Sequence, residues 1–253
     1  MKRLSRKFFD RDCERLARGL LGKVLCRELG GEVLRGRIVE TEMYPGQTDE
    51  ASHSFNMKKT GRNGAMFMAP GTAYVYNIYG MYCCFNISSK GDLDRYERHQ
   101  FTCLLNSVSF TETGGCVLIR ALEPLEGAKS MEERRSVKRK KQSKLKLTDL
   151  CSGPSKLCLA FGITKSSANE MDLTAAESDM WLTDAPEVAA SDIVTSTRVG
   201  IEGAGPESAG KPFRFYERDN GHVSVLDAAD RKRRREELRE KRLAKKAKKI
   251  AGD

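Results

Sequence analysis

Residues 71–88 read GTAYVYNIYGMYCCFNIS, and this run predicts a pair of antiparallel strands. Thr, Val, Ile, Tyr and Phe favour pleated strands, and Gly80 supplies a turn between two of them. Four of the seven tyrosines fall within nine residues of this run: Tyr74, Tyr76, Tyr79 and Tyr82. A tyrosine ring offers a flat face for stacking a base and a hydroxyl that tolerates water. Taken alone, the run fits either a surface that contacts nucleobases or a strand pair packed in a core.

The regions around this strand pair predict an α+β fold. Two strands are expected at 23–28 and 32–44, joined by a Gly30-Gly31 turn, and a third at 116–121. Helices are expected at 12–21, at 124–141 and after Gly153-Pro154, with a closing hairpin over 212–226. No helix–strand alternation indicates a parallel sheet. We therefore predict one compact domain over residues 1–230, with a mainly antiparallel curved sheet flanked by helices, and a basic tail, helical or disordered, over 231–253.

The positive charge of the chain is concentrated in two segments. Residues 231–249 hold twelve Lys or Arg and three Glu, and residues 134–146 hold eight basic residues and no acidic one. Since the whole chain carries +10, everything outside these segments carries −7. Such localised charge indicates contact with a polyanion or, for the tail, a nuclear import signal. Two solvated tracts without a partner remain the alternative.

Cysteine and histidine usage argues against a metal centre. The eight cysteines form no C-x-x-C pair, and the chain has three histidines. No apolar stretch reaches transmembrane length, and the N-terminal residues lack the apolar core of a secretory signal. We expect no metal, no cofactor and no membrane association, with reduced thiols in the nucleus or cytosol.

The strand at 32–44 carries two carboxylates near its end. Alternation places five of its side chains on one face: Leu34, Ile38, Glu40, Glu42 and Tyr44. A charge on the core side of a strand is unfavourable unless it is paired or functional. One carboxylate fits a general base, because burial raises its pKa, and the other fits a partner for an arginine. The alternative is a strand that emerges into solvent after Val39.

Several segments together resemble a known family. They occur in the family's order and span most of the body: RGRIVETEMY (35–44), EASHS (50–54), MFMAPGTAYVYNIYGMYCCFNIS (66–88), CVLIRALEPLEG (116–127), LCSGPSKLC (150–158), RVGI (198–201) and KPFRFY (211–216). With these motifs the chain resembles the alkyladenine (3-methyladenine) DNA glycosylase family. Agreement over many segments is more specific than a lone motif, which makes a purely structural role for the tyrosines the weaker interpretation.

The resemblance implies a monofunctional enzyme that needs no cofactor and acts on double-stranded DNA containing damaged purines. These purines are 3-methyladenine, 7-methylguanine, hypoxanthine and ethenoadenine. The damaged nucleotide is flipped out, because chemistry on a stacked base requires its extrusion, and its N-glycosidic bond is hydrolysed. We expect a nuclear monomer, with downstream repair proteins as further partners. The competing hypothesis is a non-catalytic protein that binds damaged DNA or other nucleic acids.

The catalytic set implied by the resemblance is Glu42, Arg120 and Val199. Glu42 matches the general base that activates a water molecule. Val199 matches a position that holds this water through its backbone carbonyl. Arg120 matches a position that helps to hold the water beside the phosphate of the flipped nucleotide.

The resemblance also implies a pocket for the extruded base. Tyr44, His53 and Tyr76 match the aromatic walls between which the base stacks. Asn86 matches the side chain that disfavours the 2-amino group of normal guanine. Without the family match, a structural role would be the better interpretation of a lone histidine such as His53.

Tyr79 matches the residue that the family wedges into the duplex gap, and Met81 flanks that gap. This agrees with the local sequence, since a wedge belongs at the tip of a turn and Tyr79 directly precedes Gly80.

Residues 93–114 lie between two predicted strands and match none of the family motifs. A connection of a few residues would join these strands. We expect a loosely packed or disordered excursion here, which is either a lineage-specific loop or translated intron sequence. A segment that disables catalysis and leaves only DNA binding is the alternative.

Overall fold

In the computed structural model, which describes residues 2–90, 113–137 and 144–250, the strands form one sheet. The strands are β1 Val24–Leu29, β2 Glu32–Tyr44, β3 Ala73–Ile78, β4 Tyr82–Ser88, β5 Cys116–Glu126, β6 Met180–Thr183, β7 Ile193–Ser196 and β8 Arg214–Glu217. Their order is β3-β4-β5-β2-β1-β6, and β8 pairs with both β2 and β7. All of these strand pairs are antiparallel, which confirms the predicted fold class.

Helices flank the sheet. They are α1 Arg6–Phe9, α2 Cys13–Leu20, α3 Ala128–Ser136, α4 Leu147–Leu150, α5 Pro154–Ala160, α6 Lys165–Ala168, α7 Pro206–Gly210 and α8 Ala228–Ile250. The predicted helix at 12–21 is confirmed as α2, and it begins where the Asp12 side chain accepts the N–H of Arg15 at 2.8 Å. Within the described part of the chain, no helix has the length and apolar character needed to cross a membrane.

The main core lies between α2, α5 and one face of the sheet. Leu16 and Leu20 of α2 and Phe161 after α5 are buried in one cluster with Phe85 and Phe215 of the sheet. Burying a side chain of this size contributes about 1.5–3 kcal/mol. This core fixes the middle strands, on which the candidate site is built.

The β3–β4 hairpin predicted from residues 71–88 is confirmed. Tyr79 and Gly80 at its tip have φ angles of 50° and 72°, and the N–H of Met81 donates to the carbonyl of Ile78 at 3.3 Å. Two successive residues with positive φ match the right-handed twist of the flanking strands. The turn therefore holds a non-glycine residue, Tyr79, in a left-handed conformation at its apex.

The sequence predicts one strand face for Leu34, Ile38, Glu40, Glu42 and Tyr44, and this prediction is wrong. Met43 belongs to the same core as Leu34 and Ile38, and the hydroxyl of Thr41 bonds a carbonyl of α2 at 3.0 Å. The cause is an irregular stretch of β2–β5 pairing between Ile38 and Thr41. A local irregularity changes which side chains point inward. The two carboxylates therefore lie on the opposite face from the core, where β8 begins to pair with β2.

Other boundaries also differ from the sequence predictions. Residues 124–126 continue β5, so the helix expected at 124–141 begins only at Ala128, after Gly127 with φ 82°. The closing hairpin over 212–226 is wrong, because β8 pairs with β7 and β2 instead. Helix α8 starts before the expected boundary between the domain and the tail at 230/231.

Most of the segment 93–114 lies outside the described residues. Its last two residues, Thr113 and Gly114, are described and buried, and the hydroxyl of Ser54 donates to the carbonyl of Gly114 at 2.6 Å. The flanking strands β4 and β5 pair with each other, as expected.

Candidate active site

Glu42 lies near the end of β2, between β5 and β8, and its side chain is completely buried. Its Oε1 accepts from the backbone N–H of Val199 at 2.8 Å and lies 3.1 Å from Nη1 of Arg120. Its Oε2 accepts from the Tyr44 hydroxyl at 2.9 Å. A carboxylate has about four lone-pair sites. Donors from the described residues occupy three of these sites, which leaves one site on Oε2 for a water molecule or a substrate.

Burial raises the pKa of Glu42, because the charged form loses hydration. The positive charge of Arg120 and the hydrogen bonds from Val199 and Tyr44 act in the opposite direction and do not cancel the effect of burial. A carboxylate with a raised pKa is a stronger base once it is ionised. The environment of Glu42 thus suits proton abstraction from water.

Arg120 of β5 lies between two buried carboxylates. Its Nε donates to Oε1 of Glu40 at 3.2 Å, while Nη1 faces Glu42. Burial works against the charge of Arg120, but the charges of Glu42 and Glu40 outweigh it and raise the pKa of the guanidinium. Glu40 also accepts from Arg214 of β8 at 2.9 Å. The prediction that one carboxylate of this strand holds an arginine is confirmed for Glu40.

The loop after β7 brings Val199 to Glu42. The preceding residue, Arg198, is buried and forms a two-pronged ion pair with Asp49, with distances of 2.5 and 2.7 Å. Its Nη1 also donates to the carbonyl of Met43 at 3.1 Å, and its guanidinium lies 4.7 Å from the centre of the Tyr44 ring. The Arg198–Asp49 pair therefore fixes the backbone that presents the Val199 N–H to Glu42.

Aromatic residues from three segments gather beside Glu42. Tyr44 and Tyr76 pack against one small apolar cluster that includes Tyr74. His53 contacts Tyr76 edge to face, with 4.7 Å between ring centres, and its Nδ1 lies 2.8 Å from the Tyr74 hydroxyl. Burial, followed by the charge of Arg62, lowers the pKa of His53 and favours its neutral ring. The three predicted wall residues are thus brought together.

Asn86 of β4 lies behind this aromatic group. Its amide donates to the carbonyl of Tyr74 at 3.0 Å, which orients its side chain, and Asn86 itself is buried. Asn86 thus lies next to this group of aromatic side chains, on the strand between β3 and β5.

The predicted wedge residues lie on the hairpin tip, away from the core. Tyr79 is 91% exposed and Met81 is 58% exposed. An exposed tyrosine at a turn apex gains nothing from packing within the chain. A shallow depression of about 670 Å³ runs from Met81 to Lys165 and Asn169, and Glu42 does not line it.

Several residues of this site received no role from the sequence. Arg198 and Arg214 lie within the motifs RVGI and KPFRFY, but nothing in these motifs shows which carboxylate each arginine meets. Asp49 gave no signal beyond its residue type, and Tyr74 was identified only as a member of the tyrosine cluster, without a role of its own. Among the described residues, no group of three or more His, Cys, Asp or Glu side chains is arranged to hold a metal ion.

Comparison with known proteins decides the family. The profile described as "Methylpurine-DNA glycosylase (MPG)" matches residues 7–95 and 89–221. The chain belongs to this family. The prediction made from the sequence motifs is thereby confirmed, and so is the class of enzyme, a monofunctional DNA N-glycosylase.

Relatives from distant organisms show the same similarity. The chain is 48% identical over 231 residues to the DNA-3-methyladenine glycosylase of Homo sapiens, covering 90% of this chain and 70% of the human protein. It is 44% identical over 214 residues to a probable DNA-3-methyladenine glycosylase of Encephalitozoon cuniculi, covering 85% and 89%. It is 40% identical over 222 residues to a putative 3-methyladenine DNA glycosylase of Clostridium botulinum, covering 87% and 98%.

Proposed function

We propose that this glycosylase flips alkylated or deaminated purines out of duplex DNA and hydrolyses their N-glycosidic bond, thereby initiating base excision repair. Its substrates are 3-methyladenine, 7-methylguanine, hypoxanthine and ethenoadenine. The observation that carries this proposal is the buried carboxylate of Glu42, with one free lone-pair site, beside a group of aromatic rings.

In this mechanism Glu42 takes a proton from a water molecule on its free site, and the water attacks the anomeric carbon. Arg120 and the carbonyl of Val199 help to hold this water. An alkylated purine leaves readily because its ring carries positive charge, whereas neutral hypoxanthine also needs protonation. Since one activated water suffices, the reaction needs no metal, cofactor or Schiff base.

The base stacks between Tyr44, His53 and Tyr76, and Asn86 disfavours the 2-amino group of guanine. The neutral ring of His53, bonded to the Tyr74 hydroxyl, is suited to this role because it adds no charge against a cationic purine.

Release of free hypoxanthine from an inosine-containing duplex tests the proposal. Wild-type protein should release the base in a single-turnover assay, and a duplex with adenine at the same position is the control. Binding without release would instead support the non-catalytic alternative.

We predict that Tyr79→Ser weakens the preference for damaged over intact duplexes. The exposed ring fills the gap left by the flipped nucleotide, and losing one stacked aromatic changes binding by roughly 1–3 kcal/mol. A fluorescent base opposite the lesion reports flipping directly. Tyr82→Ser, in the same hairpin, is the matched control and should flip the base normally. An unchanged flipping equilibrium in Tyr79→Ser would remove the wedge role.

We further propose that residues 1–230 form the glycosylase domain, and that the basic residues of 231–253 add DNA-phosphate contacts and a nuclear import signal. Helix α8 is tied to the domain at its start, where Asp230 accepts from the Tyr216 hydroxyl at 2.6 Å and from Arg233 at 2.9 Å. The protein acts as a monomer in the nucleus and passes its product to downstream repair proteins.

Truncation of residues 239–253 should flatten the salt dependence of DNA binding without changing lesion selectivity. It removes seven Lys or Arg and keeps Arg233. Each phosphate contact that is lost reduces the slope of log K against log salt by about 0.9. Removal of residues 250–253, which contain no basic residue, is the control. Equal slopes would exclude phosphate contacts, and imaging of tagged protein would test nuclear import separately.

A further inference from the structure

Glu40 is completely buried beside Glu42, yet the proposed mechanism gives it no part. Its Oε1 lies 3.2 Å from Nε of Arg120 and 2.9 Å from Nη1 of Arg214, and its Oε2 accepts the N–H of Ser224 at 2.7 Å. These donors occupy three of about four lone-pair sites, and the two guanidinium contacts tie the carboxylate to Arg120 and Arg214. Glu40 therefore acts through its neighbours and not on the substrate.

Arg120 is the neighbour that links the two carboxylates. Its Nε faces Glu40, its Nη1 faces Glu42, and its Nη2 donates to the Ser224 hydroxyl at 3.3 Å. A guanidinium is planar, so fixing one edge fixes the direction of the others. With Glu40 in place, Nη1 is held against Oε1 of Glu42, and it does not occupy the remaining site on Oε2 beside the Tyr44 hydroxyl.

Arg214 adds the second positive charge. It is held by the carbonyls of Thr197 at 2.7 Å and Val225 at 2.6 Å and by the Ser196 hydroxyl at 3.1 Å. Two carboxylates thus face two guanidiniums, and all four side chains are buried. If Glu40 lost its charge, two cations would remain beside Glu42 alone.

We propose that Glu40 is a positioning residue, which holds the guanidinium of Arg120 against one oxygen of Glu42 and balances the charge of Arg214. This inference rests on the proposed role of Glu42 as the general base.

The sign of the expected pH effect follows from the groups that face Glu42. The elements packed around Glu42 contribute the following charged or titratable groups: Glu40, Tyr44, Cys84, Arg120 and Arg198. Arg214 lies on the far side of Glu40. Burial is the main cause of the raised pKa of Glu42, and the negative charge of Glu40 adds to it. Glu40→Gln should therefore lower the pKa of Glu42. Since Glu42 works in its ionised form, the acid limb of the rate profile should move to lower pH, while the weaker base lowers the plateau.

The experiment combines two measurements on full-length wild-type protein and Glu40→Gln. One is an NMR titration of the Glu42 side-chain carboxyl with ¹³C-labelled glutamate. The other is the pH profile of single-turnover release of 7-methylguanine, whose ring is already cationic and needs no protonation. Glu28→Gln, an exposed glutamate on β1, is the matched control. We expect Glu40→Gln to lower the plateau of the release rate by about 10–100-fold, which is the effect of losing a hydrogen bond to a charged group. The midpoint of the Glu42 titration and the midpoint of the acid limb of the rate profile should both move to lower pH.

An unmoved Glu42 titration would overturn the inference, and so would a rate loss that is equal at every pH. If Glu40→Gln does not fold, Ser224→Ala is the variant to measure. It removes only the hydroxyl that Arg120 contacts. Because Glu40 still holds Nε of Arg120, Ser224→Ala should slow release no more than about fivefold, with unchanged affinity for an abasic-analogue duplex. A loss of about 10–100-fold would show that Ser224, and not Glu40, positions Arg120, and would overturn the inference. If the wild-type protein releases no base, the proposed function fails, while the titration still tests the effect of Glu40 on Glu42.

Discussion

Glu42→Gln should reduce the rate of base release by at least ~10²-fold, which is the usual contribution of a general base. Glutamine has the same shape and keeps an oxygen for the Val199 N–H, but it cannot accept a proton from water. Because the amide is neutral, the negative charge near the DNA phosphates is lost. Affinity for an abasic-analogue duplex should therefore be unchanged or higher.

Single-turnover excision and binding to the abasic-analogue duplex, measured on the same preparations, check this prediction. Glu28→Gln is the control for replacing a glutamate by glutamine. Glu40→Gln is unsuitable as a control, because Glu40 bonds both Arg120 and Arg214. Activity of Glu42→Gln within a few-fold of wild type would refute the assignment of the base. The wild-type rate itself should decline on the acid side at a pH above that of an ordinary glutamate, because burial raises the pKa of Glu42.

Asp49→Asn should lower the free energy of unfolding by about 3–5 kcal/mol, since it leaves the charge of a buried arginine without its partner. The side chains of Arg198 and Asp49 are 0% and 1% exposed, so water cannot replace the lost carboxylate. Arg198 directly precedes Val199, whose N–H bonds Glu42. We therefore expect excision to slow as well.

Urea unfolding of wild-type and variant protein checks the effect on stability. Glu14→Ala is the matched control, because it breaks the exposed Arg18–Glu14 pair and should change stability by less than ~1 kcal/mol. If Asp49→Asn unfolds at the wild-type urea concentration, the buried pair does not stabilise this fold. Excision that stays normal would show that Val199 is positioned without it.

The elements predicted well from the sequence depend on neighbouring residues. The 71–88 hairpin follows from β-favouring side chains around Gly80, and α2 follows from Asp12 as its N-cap. The start of α5 at Pro154 after Gly153 is local in the same way. Such signals lie within a few residues of the structure that they produce.

The elements predicted poorly depend on distant partners. Strands β6 and β7 have four residues each and pair with β1 and β8, respectively. The 212–226 hairpin looks favourable because of Asn220-Gly221, yet Arg214–Glu217 pairs with β2 and β7 instead. Pairing within an existing sheet outweighs a turn signal, because it satisfies more backbone groups.

The sequence by itself determined the family, the antiparallel hairpin with Tyr79 at its tip, and Glu42 as the candidate base. Only the tertiary structure decided how the charges around Glu42 are arranged. Val199 and Arg214 reach Glu42 and Glu40 across 157 and 174 residues of chain. The irregular pairing near Ile38 turns both carboxylates away from the core. Because electrostatic strength depends on distance and burial in space, the state of Glu42 is fixed only when these segments meet.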